Sequence, residues 1–264
     1  MEQLRRERLT RYIEPFREGG SLPGLAEASD GFKYVVKWRG GGHGAKVLVA
    51  ELLGGEIARA AGMRVPELVI LDTPVDFGRT EPDIEVQELL RDSTGLNLGL
   101  HFLSGALTMD PYVNPVTADE ASRIVWLDMF LTNVDRTVKN TNMLVWHGKE
   151  TWLIDHGASF FFHHSWSKTP EQAAAAPFPY IRDHALIRKA EFLEEADSRL
   201  RQILTPERLA EIVDLIPEEW LVRDDLAMTP EELRNAYTSF LVTRLNHSSD
   251  FTREAIKIRK DLIS

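Results

Sequence analysis

Near residue 95 the chain changes its period, and that change restricts it to a fold with two unlike halves. Before it, FKYVVKW (32–38), VPELVILD (65–72) and DIEVQELL (83–90) read as strands between Gly- and Pro-rich breaks. AKVLVAELLGGEIARAAG (45–62) has helical spacing and stops at Gly62. The first sixteen residues read as a short charged helix or arm, and GGSLPGLAEASDG (19–31) as turns. After residue 95 helices take over. Thr117 with Glu120 makes a capping box ahead of ASRIVWLDMFLTN (121–133). Thr-Pro-Glu recurs at 169, 205 and 229, each with an N-cap, a proline in the first turn and an acid at the positive end of the helix dipole. A hairpin is expected over 143–154. The expectation is an α+β, bilobal chain, with a strand-rich lobe over 1–93 and a helical lobe over 94–264.

The chain has 264 residues, enough for two lobes with a real core, and no cysteine. Disulfides, thiolate catalysis and cysteine-bound zinc are therefore excluded. A formal net charge of −10 argues against a nucleic-acid partner, since phosphate contacts need clustered Lys and Arg. No apolar run reaches membrane-spanning length, and the start, MEQLRRERLT, lacks the apolar stretch of a signal peptide. A cytoplasmic protein with no membrane partner is expected.

Residues 130–162, FLTNVDRTVKNTNMLVWHGKETWLIDHGASFFF, set Asn133, Asp135, Arg136, Lys139, Asn140 and Asn142 between apolar flanks. An acid followed five residues later by an amide, on a loop after a buried helix, suits phosphoryl transfer from a metal–nucleotide complex. The acid accepts or orients a hydroxyl, and the amide oxygen ligates Mg²⁺, which prefers oxygen donors. Asp155, delivered across the hairpin by WLID, is an acid that could bridge the metal to the β- and γ-phosphates. An Asx-rich turn would explain the loop, but not an acid emerging from a buried strand. Lys37, within YVVKW, either faces solvent or points at phosphate oxygens with Glu51 of the next helix as its partner. Asp128, in the middle of the apolar helix, either faces outward or pairs with Arg136 to brace the loop.

GGGHGAKV (40–47) looks like a Walker A loop but ends in Ala45-Lys46-Val47, with no hydroxyl for Mg²⁺, and reads as a mobile strand–helix connection. His163-His164 have no third ligand spaced for a metal and are assigned to a substrate-facing segment.

The run NVDRTVKNTN…LIDHGASF, with YVVKW and VLVAELLGGEIARAAGMRVPE upstream, resembles the HipA-like kinases over about residues 20–250. Phosphoinositide kinases share the Asp-Arg-x-x-x-Asn and Ile-Asp-x-Gly layout. The resemblance implies a protein-kinase-like bilobal fold using ATP and Mg²⁺. It implies Asp135 as catalytic acid, with Lys37 on the nucleotide phosphates held by Glu51. Asn140 and Asp155 would ligate the metal, and Gln87, Glu88 and Leu89 would form the hinge that presents backbone to adenine. It implies a hydroxyl acceptor, protein Ser/Thr first, and leaves open an antitoxin-like or operon-encoded partner. Ser21, in EGGSLPG, becomes a candidate for self-phosphorylation. The chain departs from phosphoinositide kinases in carrying Thr137 where they usually have His, and no G-x-G-x-x-G precedes Lys37. A small-molecule or lipid kinase, a nucleotide-binding scaffold and a kinase-fold nucleotidyltransferase remain alternatives.

Overall fold

The computed structural model describes residues 3–17, 22–42, 44–222 and 226–264. Strands β1 (Arg6–Pro15), β2 (Gly24–Ala28), β3 (Lys33–Lys37), β4 (Leu68–Thr73) and β5 (Gly95–His101) form a closed barrel in the order β1-β2-β3-β5-β4. Neighbours run antiparallel except at the closure, where β1 lies parallel to β4 with Arg6 opposite Ile70. Helix α1 (Ala45–Ala60) connects β3 to β4, and α2 (Ile84–Asp92) connects β4 to β5.

Three expected elements differ. Within 19–31, read as turns, Gly24–Ala28 is strand β2, fixed by pairing to β1 on one side and β3 on the other. The first sixteen residues are mostly strand. Only Leu9 of β1 is buried, so the apolar signal is weak. Pairing to β2 on one side and β4 on the other decides the conformation, and tertiary context overrides the local pattern. The 83–90 stretch is helical. Asp83 caps it by accepting from the Glu85 amide at 3.0 Å, and Val86 and Leu90, one turn apart, are its buried face. The barrel also takes in β5, which pairs with both β3 and β4, so a lobe break at 93/94 cuts off its central strand. The crossing to the helical half is the 102–106 connection.

That half is built on α3 (Ala118–Leu131), against which α5 (Leu193–Ile203), α8 (Pro230–Asn246) and α9 (Ser248–Ile263) pack. Threonine N-caps at 117, 169, 205 and 229 open α3, α4 (Pro170–Ala174), α6 (Pro206–Val213) and α8. Short α7 (Glu218–Leu221) places Trp220, whose ring nitrogen donates to Leu96 O at 2.9 Å and ties the helical half to β5. Arg244, buried in α8, donates to Met129 O, a carbonyl in the last turn of α3 that otherwise accepts only a long 3.4 Å bond from the Thr132 amide at the helix cap. The C-terminal end of α3, from which the polar loop departs, is thereby fixed. A small sheet, β6 (Leu107–Thr108), β7 (Met143–Trp146) and β8 (Glu150–Leu153), contains the expected hairpin. Among the described residues no helix is long and apolar enough to cross a membrane.

Candidate active site

Helix α3 ends at Thr132, whose left-handed backbone (φ 54°) turns the chain out of the helix. Asn133 sets the next residues. Its amide nitrogen donates to Asp128 Oδ1 at 2.9 Å, and its oxygen accepts from the Asp135 backbone at 3.1 Å. The Asp135 carboxylate is held from the other side. Its Oδ2 accepts from Asn140 Nδ2 at 2.8 Å and from Asn142 Nδ2 at 3.1 Å. Asn140 therefore sits beside Asp135 with its nitrogen engaged, leaving the amide oxygen available to a cation.

Beneath the loop lies a buried charged group. Asp128 Oδ2 accepts from Arg136 Nε at 2.6 Å and from His184 Nε2 at 2.8 Å. Burial alone would raise its pKa, but Arg136 and His184 outweigh burial and hold the carboxyl well below its ordinary range. Arg136 also donates to the Asn142 carbonyl and to Ile154 O, so one guanidinium joins α3, the loop and the residue preceding Asp155. Of the two readings left open for Asp128, the buried brace is the observed one.

Asp155 adopts a left-handed backbone (φ 54°), uncommon for a residue with a side chain and characteristic of functional turns. The turn aims the carboxylate at the barrel, where its Oδ1 lies 2.9 Å from Lys37 Nζ. Burial would lower the Lys37 pKa, but the negative charges of Glu51 and Asp155 prevail, and it stands above the ordinary value. The same ion pair outweighs burial at Asp155 and lowers its pKa.

Glu51 occupies a different position from the one expected. It is fully buried, and neither oxygen makes a well-formed hydrogen bond among the described residues. Burial, offset in part by the Lys37 ammonium, pushes its carboxyl up to about 7. It influences Lys37 through its field rather than by contact, and the direct partner is Asp155. His156, also fully buried, has its Nδ1 4.0 Å from Glu51 Oε1. Burial, helped by Arg136, lowers its pKa to about 3, so it stays neutral. Glycines allow this approach. A Cβ on Gly54 would fall 2.5 Å from His156 Cβ, and one on Gly157 would meet Val47 at 2.9 Å.

Other expected residues lie elsewhere. Gln87, Glu88 and Leu89 are on α2, where the Gln87 amide already donates to Asp83 O at 2.8 Å. A helical backbone has its polar groups paired internally and cannot present a free edge to a base, so the hinge assignment is corrected. The 40–47 connection, expected to be mobile, is held at its start, with Arg39 N bonded to Asn97 Oδ1 and Gly40 N to Ser93 Oγ; His43 is outside the described residues. So is Ser21. His163 is buried, its Nδ1 2.9 Å from the Tyr237 hydroxyl, while His164 is exposed. Among the described residues no group of three or more His, Asp or Glu is arranged to hold a metal. The donors that remain, Asn140 and Asp155, are an amide oxygen and a carboxylate, which suit Mg²⁺ completed by phosphate oxygens and water.

Asn142, His156 and His184 were not singled out as site residues. Asn142 could have been found as the last amide of the polar run. His184, from a distant loop, leaves no local signal.

The family model of the HipA-like kinases matches residues 9–254. The chain belongs to the HipA-like kinases. No curated protein matches it. Among solved structures, the Helicobacter pylori proinflammatory kinase CtkA is similar at 12% identity and a TM-score of 0.53, over 97% of this chain and 98% of that one. A MAP kinase from Leishmania major matches at 12% identity over 96% of this chain and 83% of that one, but its TM-score of 0.30 carries no argument. The CtkA likeness establishes the kinase fold. In this HipA-like kinase the strand-rich lobe is the barrel and the helical lobe is built on α3, with the polar residues converging where they meet.

Proposed function

We propose that the chain is an ATP- and Mg²⁺-dependent phosphotransferase that moves the γ-phosphoryl group to a hydroxyl, with protein serine or threonine as the acceptor. The observation that carries the reading is the 2.9 Å approach of Lys37 from the barrel to Asp155 from the hairpin, beside an Asp135 held by two asparagines. Lys37 would bind phosphate oxygens, and Asn140 and Asp155 would hold Mg²⁺, which when bound neutralises charge on the β- and γ-phosphates. Asp135 would orient the acceptor hydroxyl and take its proton as the oxygen bonds to the γ-phosphorus and the bond to the β–γ bridging oxygen breaks, releasing ADP. The 102–106 connection, rather than α2, would offer backbone to the base.

Incubating the protein and host lysate with γ-labelled and then α-labelled ATP tests this. Label from the γ position alone supports the reading. Label from the α position replaces it with nucleotidyl transfer, and no label from either leaves a scaffold.

A further inference from the structure

Past Gly157 the chain builds a feature that phosphoryl transfer itself does not require. It runs back along the end of α3, where Phe160 N donates to Leu131 O at 2.8 Å and Phe161 N to Thr132 Oγ1 at 3.2 Å. A 3-10 turn (Phe161–His164), the segment around α4, and α8 then enclose a cavity of about 230 Å³. Its wall includes Thr132, Phe161, Phe162, Tyr180 and Phe240, with Lys168 also lining it. Thr132 begins the turn that carries Asp135, so the cavity shares a wall with the loop bearing the candidate base.

Size and chemistry define what fits. Sites that engulf whole small molecules run to roughly 300–1,000 Å³. At about 230 Å³ this one is smaller, the scale of a side chain. Phe161 and Tyr180, each 54% exposed, have ring centroids 6.2 Å apart and offer an unoccupied aromatic surface. Lys168 is exposed and has no ion-pair partner among the described residues. In a chain of net charge −10, a cation left open beside an aromatic cavity suits a carboxylate supplied from outside.

We propose that this cavity seats a bulky apolar side chain of a polypeptide acceptor, close to the hydroxyl that is phosphorylated, while Lys168 pairs with an acidic side chain of the same segment. The proposal rests on the phosphotransferase reading and narrows its substrate class. A sugar or nucleoside brings a hydroxyl but no flanking apolar side chain and carboxylate, whereas a peptide brings all three at fixed spacing.

The experiment uses degenerate peptides with a central serine or threonine, each flanking position fixed in turn, with Mg²⁺ and γ-labelled ATP. The parent is compared with Lys168→Glu, an exposed position, and Ala176→Phe, which fills the cavity from its lining. The parent should select an aromatic or large aliphatic residue at one position and Asp or Glu at another. Ala176→Phe should erase the apolar preference, worth about 10–200-fold in kcat/KM. Lys168→Glu should turn the acidic preference into a basic one. In both variants Mg-ATP affinity by calorimetry and the melting curve should match the parent. Peptides labelled without an apolar preference, or with preferences identical in parent and variants, overturn the proposal and leave the phosphotransferase reading standing. Transfer to lipid vesicles or to polyol acceptors but to no peptide does the same. Absence of γ-phosphoryl transfer to any acceptor, lysate included, removes both.

Discussion

Lys37 and Asp155 are direct partners: Nζ lies 2.9 Å from Oδ1, while Glu51, buried on α1, makes no well-formed hydrogen bond. On the proposed reading this one carboxylate would serve two cations, the ammonium in the nucleotide-free protein and a metal when nucleotide is bound. Metal taking Asp155 would leave Lys37 free for phosphate oxygens, with the negative charge of the nearby Glu51 carboxylate still favouring the ammonium. The two acids of the site then differ in role.

That difference predicts opposite behaviour of two isosteric changes. Asp135→Asn should keep Mg-ATP affinity and lower turnover on the order of 10²–10⁴-fold, because a general base acts in the transition state. Asp155→Asn should lose both, since a ground-state ligand also governs binding. Calorimetry with and without chelator checks it; parent-like Mg-ATP binding by Asp155→Asn would remove Asp155 from the metal site.

Glu51 predicts a pH dependence with a definite sign. Its carboxyl stands at about 7 in the fold against an ordinary value of 4.5. The native state keeps a proton that the unfolded chain releases, so the group costs stability as pH rises through this window, and the cost is complete above it. Glu51→Gln removes the ionisation and keeps the shape. Its melting temperature relative to the parent should be higher at pH 8 than at pH 4. His156, lowered to about 3, costs stability in the opposite direction as pH falls below 6.5; because its ring lies 4.0 Å from Glu51, the comparison is repeated in a His156→Gln background to remove it. A difference flat across pH would contradict the raising of the Glu51 carboxyl by burial.

Arg136→Ala should destabilise the protein by about 3–5 kcal/mol, because it leaves the Asp128 carboxylate buried without its guanidinium. Adding Asp128→Ala should recover part of that loss, as the two residues act as one unit. Urea denaturation measures both; strictly additive losses would mean that the ion pair does not brace the loop.

How much of this was legible in the chain follows from the range of each signal. The threonine caps at 117, 169, 205 and 229 could be read because a cap is complete within four residues. The Asp128–Arg136 brace, eight positions apart, was within reach as one of two readings. Helix α2 was misread, though Asp83 and the Val86–Leu90 spacing carried its signal. Ile84, apolar like a strand residue, is 71% exposed on the helix. Strand β1 was hidden by its charges, since only Leu9 reports a core. The preference of Lys37 for Asp155 over Glu51 depends on how two lobes meet, and nothing local encodes it.

Gly54→Ala should test that meeting. The added methyl would sit 2.5 Å from His156 Cβ, so α1 or the 155–157 turn must shift. The expected cost is about 1–3 kcal/mol, with reduced turnover because α1 carries Glu51. Chemical denaturation and a steady-state assay read the two effects; unchanged values in both would mean that α1 does not rest on His156.

Because β1 lies between β2 and β4 the barrel closes, although β4 reaches only Arg6–Arg8 of β1. Strand addition to this lobe is therefore confined to the part of β1 beyond Arg8, which pairs with no residue of β4 among the described residues. The same hoop keeps Lys37 in step with every stave around it. On the proposed reading, any closure over a nucleotide would carry the barrel as one piece, and a change in the residues after His101 would alter the rate of ligand exchange while leaving the barrel itself intact.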